Sequence, residues 1–179
     1  GSILRGRWYA AQGAENAPCI VMCHGTSATV PMALSSYAIE FQNKGFNVFL
    51  YDHAGFGKSE GKVRQTINPW VQGRGLADAV EFIKSQKSSH NGKIVLWGDS
   101  FAGMIVLVVA GLVENLAGVV SYTASCGTSV LNFEDPKKSF SALKTIFYEG
   151  GFDQLEDLVR EGPMPVVSSD QESTPSLLL

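Results

Sequence analysis

The stretch that decides the fold runs from Lys93 to Gly103 and reads Lys-Ile-Val-Leu-Trp-Gly-Asp-Ser-Phe-Ala-Gly. The four apolar residues Ile94–Trp97 predict a buried strand, and the apolar run Met104–Val109 predicts a helix. Between them lies a tight turn of small residues with Ser100 at its tip. A strand, a sharp turn, a serine and a helix form the pattern of a nucleophile elbow, in which a strained turn presents the serine side chain.

Small residues flank Ser100 because the strand and the helix of such a turn pass close together. Gly98 and Ala102 are these residues, and Gly103 follows them. The serine would lie at a helix N-terminus, where backbone N–H groups favour developing negative charge. The pattern departs from Gly-x-Ser-x-Gly in its last place, which is alanine. Taken alone, the motif also fits an ordinary turn whose serine caps the helix.

The composition is that of one soluble globular domain, with 179 residues, 45% apolar and 17% charged. A formal net charge of −3 gives no reason to expect a nucleic-acid partner. The longest apolar run, Phe101–Val113, is interrupted by glycines and is too short to span a bilayer. Gly1-Ser2 resembles a cloning remnant and no signal peptide follows it, so we expect a cytoplasmic setting.

The three cysteines show no zinc-ligand spacing, and we expect neither a metal nor a cofactor. Cys19 and Cys23 share one face of a predicted strand, which disfavours a disulfide between them. Cys126 follows another predicted strand, and we interpret it as a small buried hydrophobe.

Strands and helices alternate along the first 127 residues. Strands are expected at Ile3–Ala10, Cys19–Cys23, Phe46–Tyr51, Ile94–Trp97 and Val119–Tyr122. Helices are expected around Leu34–Phe41, around Leu76–Ile83 and after Ser100. This alternation, with its continuous apolar strands, predicts an α/β fold with a mostly parallel central sheet and helices on both faces.

Four segments follow predicted strands and should meet at the carboxyl edge of that sheet, where α/β proteins place their functional groups. They are His24–Thr26, Asp52–Gly61, Ser100 and Ser125–Ser129. This convergence does not depend on any single motif, and it therefore predicts a catalytic site.

The character of the chain changes after Gly127. Short helices are expected around Phe140–Phe147 and Leu155–Val159, with Gly150-Gly151 between them. We interpret residues 1–127 as the core and residues 128–179 as a helical lid or insertion. Its apolar faces would close over the Ser100 edge or over further parts of the protein.

Three segments together resemble the α/β-hydrolase superfamily. They read Val21-Met22-Cys23-His24-Gly25-Thr26, Tyr51-Asp52-His53-Ala54-Gly55-Phe56-Gly57-Lys58-Ser59-Glu60-Gly61 and Trp97-Gly98-Asp99-Ser100-Phe101-Ala102-Gly103. Their order and spacing are similar to those of a His-Gly oxyanion loop, an Asp-x-x-Gly-x-Gly-x-Ser turn and the elbow. The similarity covers roughly Leu4 to Thr128. Arg64-Gln65 and Pro69-Trp70 further resemble stand-alone acyl hydrolases related to dienelactone hydrolases and to fungal polyketide transferases and thiohydrolases.

The resemblance implies a role for each matching residue. Ser100 Oγ would be the nucleophile that forms an acyl-enzyme. The backbone N–H groups of Thr26 and Phe101 would bind the oxyanion. The implied substrate is a small-molecule carboxylic ester or thioester. An acyltransferase on the same scaffold and a catalytically idle binding module remain as alternatives.

The chain departs from the family pattern in its base, since the triad order in this fold is serine, acid, histidine. His24, His53 and His90 all precede Ser100. We expect His24 to shape the oxyanion loop, His53 to be a turn residue and His90 to lie in a solvated surface loop. Asp52 should order its own glycine-rich turn rather than serve as the acid.

The triad acid has no clear candidate after Ser100. Asp170 or Glu172 would follow a strand only if Pro165–Val167 formed one. We expect the acid and the histidine to lie outside this chain. Because the chain also begins at what resembles the second strand of the family, the fold would be incomplete at both ends. A sheet that lacks edge strands exposes unpaired backbone groups, so 179 residues acting alone should dimerise or aggregate.

Overall fold

The computed structural model describes residues 2–13, 16–26, 28–32, 34–86, 90–124 and 136–150. Within these ranges the strands are β1 (Arg5–Tyr9), β2 (Cys19–Cys23), β3 (Asn47–Asp52), β4 (Ile94–Asp99) and β5 (Gly118–Tyr122). The helices are α1 (Leu34–Asn43), α2 (Pro69–Ser85), α3 (Phe101–Leu112) and α4 (Pro136–Glu149). Each predicted strand within the described residues is present, with ends that differ by one or two residues.

The five strands form one sheet in the order β1-β3-β2-β4-β5. Strands β2, β3, β4 and β5 are parallel to one another, and β1 pairs antiparallel with β3. The prediction of a mostly parallel sheet is therefore confirmed. Strand β2 lies in the centre and is buried over its whole length, which explains its uninterrupted apolar sequence.

Helices cover both faces of the sheet, as predicted. Helix α1 packs on one face, where its Leu34 and Ala38 meet Ile20 and Met22 of β2. Helices α2 and α3 pack on the other face, which includes Val21 of β2. Successive residues of β2 thus enter different cores, because side chains alternate across a strand.

Helix α2 begins at a proline and is capped from the preceding residue. The Asn68 side-chain oxygen accepts hydrogen bonds from the N–H groups of Trp70 and Val71, at 3.0 and 3.3 Å. Pro69, at the first helical position, has no N–H that would need a partner. These two residues fix where the loop after β3 ends.

Helix α4 lies in the region predicted to be a lid and packs against α2. Phe147 is buried, its ring lies beside Gly73, and its carbonyl accepts a hydrogen bond from Arg74. A Cβ on Gly73 would come within 2.9 Å of that ring. Helix α4 can therefore pack here because Gly73 has no side chain. The predicted helix at Leu155–Val159 lies outside the described residues, and the lid assignment stays a prediction.

Cys19 and Cys23 are buried free thiols, as the strand assignment required. Burial raises the pKa of Cys19 to about 12 and that of Cys23 still further, which makes both thiols unreactive. Cys126 lies outside the described residues. None of the helices within the described ranges has the length and hydrophobicity needed to cross a membrane.

Candidate active site

Ser100 lies in a backbone conformation that L-residues rarely adopt, with φ 53° and ψ −122°. Its N–H donates to the carbonyl of Tyr122 at 2.9 Å, and its own carbonyl accepts from Gly103 N–H at 3.0 Å. The side chain is exposed and makes no capping hydrogen bond to α3. Helix capping therefore does not explain why a serine occupies this position.

Gly98 lies at a position of the elbow that has no room for a side chain. A Cβ at Gly98 would lie 2.5 Å from the carbonyl oxygen of Ala102, closer than real contacts allow. A Cβ at Gly103 would lie 3.0 Å from Ala124 Cα, while Ala102 itself is fully buried. Strand β4, helix α3 and the end of β5 thus pack closely around the turn.

The predicted oxyanion loop, residues 24–26 and called the oxyanion loop below, lies close to the elbow at Gly25. A Cβ on Gly25 would lie 3.1 Å from the Asp99 carbonyl oxygen and 3.4 Å from Ser100 Cβ. Phe101 is the first residue of α3, so its N–H has no acceptor within the helix. Among the described residues, none accepts a hydrogen bond from Thr26 N–H either. Gly25 thus lies close to Ser100, and within the described residues neither the N–H of Thr26, which follows Gly25, nor that of Phe101, which follows Ser100, has a hydrogen-bond acceptor.

His24 holds the oxyanion loop from beneath and is fully buried. Its Nε2 accepts from the backbone N–H of His53 at 3.0 Å, so Nδ1 carries the proton and donates to the Gly25 carbonyl at 2.9 Å. Gly25 C=O and Thr26 N–H belong to one planar peptide unit, so this bond also orients the Thr26 N–H. Burial lowers the pKa of His24, which keeps the imidazole neutral.

His53 and the predicted nucleophile Ser100 follow different strands of the sheet. Strand β2 separates β3 from β4, and two strand spacings amount to about 10 Å. The ring of His53 is fully buried against His24 and Tyr51, with centroids 4.5 and 5.3 Å away. Burial is the larger cause that holds the pKa of His53 well below its ordinary value, and the neighbouring His24 is a smaller one.

His90 is buried, and the expectation of a solvated loop was wrong. Its Nε2–H donates to the Ile83 carbonyl at 2.8 Å, and its Nδ1 accepts from Gly92 N–H at 2.9 Å. The physical reason is that the last carbonyls of a helix lack partners within the helix. His90 supplies one at the end of α2, at the amino edge of the sheet. The polar sequence around it has the composition of an exposed loop and carries no signal of this contact.

Asp52 orders its glycine-rich turn, as predicted from the sequence. One carboxylate oxygen accepts from Lys58 N–H at 3.0 Å and the other from Val30 N–H at 2.7 Å. A Cβ on Gly57 would collide with this carboxylate. The link to Val30 was not predicted, and it ties the turn to the loop that follows Thr26.

Asp99 is a residue that sequence reasoning left without a role. Its Oδ1 is shielded from solvent and has no hydrogen-bond partner in the described part of the chain. This oxygen lies 3.6 Å from where a Cβ of Gly25 would be, next to the oxyanion loop. Three other sequence candidates, the segment Ser125–Ser129, Asp170 and Glu172, fall outside the described residues.

Comparison with known proteins places this site in a family. A family model described as serine aminopeptidase, S33, matches residues 14–151. A thiohydrolase of Arthrinium phaeospermum is 35% identical over 139 residues, which are 77% of this chain and 44% of that protein. A polyketide transferase of Aspergillus fumigatus is 35% identical over 123 residues, which are 69% of this chain and 41% of that protein.

A solved structure shows the same architecture. The crystal structure of an α/β hydrolase from Penicillium sp. sh18 superposes with a TM-score of 0.69 at 25% identity. The match covers 95% of this chain and 56% of that one. The chain thus spans less than half the length of the two curated relatives and little more than half of the solved structure.

Proposed function

The chain belongs to the serine aminopeptidase S33 family of α/β hydrolases, and on that premise we propose that it is the core of a serine hydrolase acting through Ser100. The substrate is a carboxylic ester or thioester. The observation that carries the proposal is the elbow itself. Ser100 has a strained backbone and an exposed, uncapped hydroxyl, and it adjoins two unused backbone N–H groups.

In this mechanism Ser100 Oγ attacks the acyl carbon and forms an ester bond to it. The electron pair of the carbonyl moves to its oxygen, where the N–H groups of Thr26 and Phe101 stabilise the negative charge. Collapse of the tetrahedral intermediate breaks the bond to the leaving group, which takes up the proton that the base removed from Ser100 and departs as an alcohol or a thiol, leaving the acyl-enzyme. Water then adds to the acyl carbon, and Ser100 leaves with the free acid as product.

The proton of Ser100 must pass to a base, and we assign that role to a histidine in the remainder of the complete protein. His24 is hydrogen-bonded through both ring nitrogens, the ring of His53 is fully buried against His24 and Tyr51, and His90 lies at the other edge of the sheet. The curated relatives are more than twice as long as the matched region, which leaves room for a histidine and an acid.

The acyl acceptor separates two versions of this function. The relative named a thiohydrolase supports transfer to water, and the relative named a polyketide transferase supports transfer to another acceptor. Product analysis in the presence of a competing alcohol distinguishes them. Free acid as the sole product identifies a hydrolase, whereas a new ester identifies a transferase.

The proposal is tested by treating the complete protein with a fluorophosphonate and mapping the adduct by peptide sequencing. We expect one adduct on Ser100. Ser100→Ala should abolish labelling and lower ester hydrolysis by about 10³-fold or more. The matched control is Ser36→Ala, which alters an exposed serine of α1 and should change neither readout. An unlabelled wild-type protein would favour an idle binding module instead.

A further inference from the structure

Asp99 places a carboxylate beside the acyl site. Its Oδ1 lies 3.6 Å, and Ser100 Cβ lies 3.4 Å, from the point that a Cβ on Gly25 would occupy. The two atoms are therefore separated by no more than the sum of these distances. Asp99 as a whole residue is partly exposed, and the adjacent Ser100 is exposed.

No cation compensates this carboxylate within the described ranges, where the ion pair present joins Lys84 and Glu81. The negative charge of Asp99 nevertheless affects the pKa of neighbouring groups. Burial raises the pKa of Cys23, and the Asp99 carboxylate raises it further. At His24 burial lowers the pKa, and the Gly25 hydrogen bond, Asp52 and Asp99 act in the opposite direction. Asp99 thus contributes negative potential beneath the oxyanion loop.

The charge states of the reaction decide which species this potential affects. An ester or thioester substrate is neutral. The transition state pairs a negative oxyanion with the positive imidazolium of the base, so its net charge is close to zero. The product is a carboxylate beside a neutral imidazole, and it carries a full negative charge. A fixed anion at the site therefore acts more strongly on the product carboxylate than on the transition state, where the imidazolium offsets part of the repulsion, and it hardly affects the neutral substrate.

We propose that Asp99 is an anion-discriminating residue whose carboxylate repels the carboxylic acid product and so favours its release from Ser100. The inference rests on the proposed function, since it assumes that the acyl site adjoins Ser100. Solvent and salt screen the exposed part of the side chain, so the expected effect is modest. The same repulsion should disfavour substrates that carry a carboxylate next to the scissile bond.

The test compares a charged ligand with its neutral counterpart, octanoate with octanamide, by calorimetric titration of the complete protein. In Asp99→Asn octanoate should bind about fivefold more tightly at low ionic strength, whereas the affinity for octanamide should not change. The matched control is Glu40→Gln, which removes an exposed negative charge from α1 and should alter neither affinity. Asparagine has nearly the size of aspartate, and a melting curve verifies that the variant is folded.

A second measurement varies the salt concentration. Raising the salt concentration should tighten octanoate binding to the wild-type protein by screening Asp99, and should do so less in Asp99→Asn. Equal octanoate affinities in the two proteins, equal changes for both ligands, or octanoate binding to neither protein would overturn the inference. Labelling of Ser100 reports separately on the proposed function. A protein that shows the octanoate difference but no adduct on Ser100 would support the charge effect of Asp99 and would contradict the proposed serine hydrolase.

Discussion

Two turns follow buried parallel strands at the same edge of the sheet, and they use their polar side chains in opposite ways. In the turn after β3, both Asp52 oxygens accept backbone hydrogen bonds, from Val30 and from Lys58. In the turn after β4, Ser100 has a strained backbone and a hydroxyl that makes no capping bond. A side chain whose hydrogen bonds are complete holds a structure together, whereas one left unbonded at a strained position remains free to react.

The glycines of these two turns also have different structural purposes. Gly57 leaves room for the Asp52 carboxylate, and Gly98 leaves room for the backbone of α3 at Ala102. The first glycine accommodates a hydrogen-bonded side chain. The second allows a helix to start immediately beyond the nucleophile. Both are close approaches that a Cβ would prevent.

The largest effect is expected at the elbow. Gly98→Ala puts a methyl group against the Ala102 carbonyl, so the turn must shift, and we expect a loss of about 3 kcal/mol in the free energy of unfolding with slower labelling of Ser100. Denaturant titration measures the loss. Gly111→Ala is the control, because a Cβ there meets nothing within 4 Å and alanine favours the helix. Equal stability of the two variants would show that the elbow is not tightly packed.

The second-largest effect is expected in the turn after β3, where both oxygens of Asp52 accept hydrogen bonds. Asp52→Asn replaces one acceptor by an NH₂ group that cannot accept a backbone N–H, which should cost about 2 kcal/mol. In the complete protein the rate of Ser100 labelling should change by less than about tenfold, whereas loss of a triad acid would lower catalysis by about 10⁴-fold. Glu40→Gln provides the control for loss of a negative charge. A collapse of labelling in a folded Asp52→Asn protein would identify Asp52 as the acid.

The buried histidines beneath the loops make stability depend on pH. Burial lowers the pKa of His24 and of His53 below 6.5, so below that pH the unfolded chain binds more protons than the folded one. Stability should be fully present above pH 6.5 and decrease as the pH falls, by about 1.4 kcal/mol per pH unit for each histidine at the steepest. His53→Phe should flatten this dependence in urea titrations. An unchanged slope would mean that His53 is not a neutral buried group.

The smallest effect is expected where β5 supports the elbow. Ser121 Oγ donates to the Gly103 carbonyl at 2.9 Å, so Ser121→Ala should lower stability by about 1 kcal/mol. Thermal unfolding beside the surface variant Ser36→Ala gives the comparison. The labelling rate of Ser100 should stay within about twofold, because the Ser100–Tyr122 bond between backbone groups is retained. A larger loss of labelling would show that β5 tunes the nucleophile directly.

Much of this architecture follows from local patterns. Continuous apolar strands such as β2 predict a parallel sheet, since such a strand is buried on both faces. The small residues around Ser100 predict a tight turn, which the structure confirms. The antiparallel direction of β1 has no such signal, because strand direction depends on which neighbour is paired rather than on the strand's own residues.

The sequence by itself determined the elements, their faces and the identity of Ser100 as the candidate nucleophile, because these depend on periodicity and on residue size over short spans. Only the tertiary structure decided the surroundings of His53, His90 and Asp99. Strand β2 lies between β3, which precedes His53, and β4, which precedes Ser100, and His90 bonds to the end of α2. The oxyanion loop shields one oxygen of Asp99. These surroundings depend on contacts between residues distant in sequence, and a local pattern does not encode such contacts.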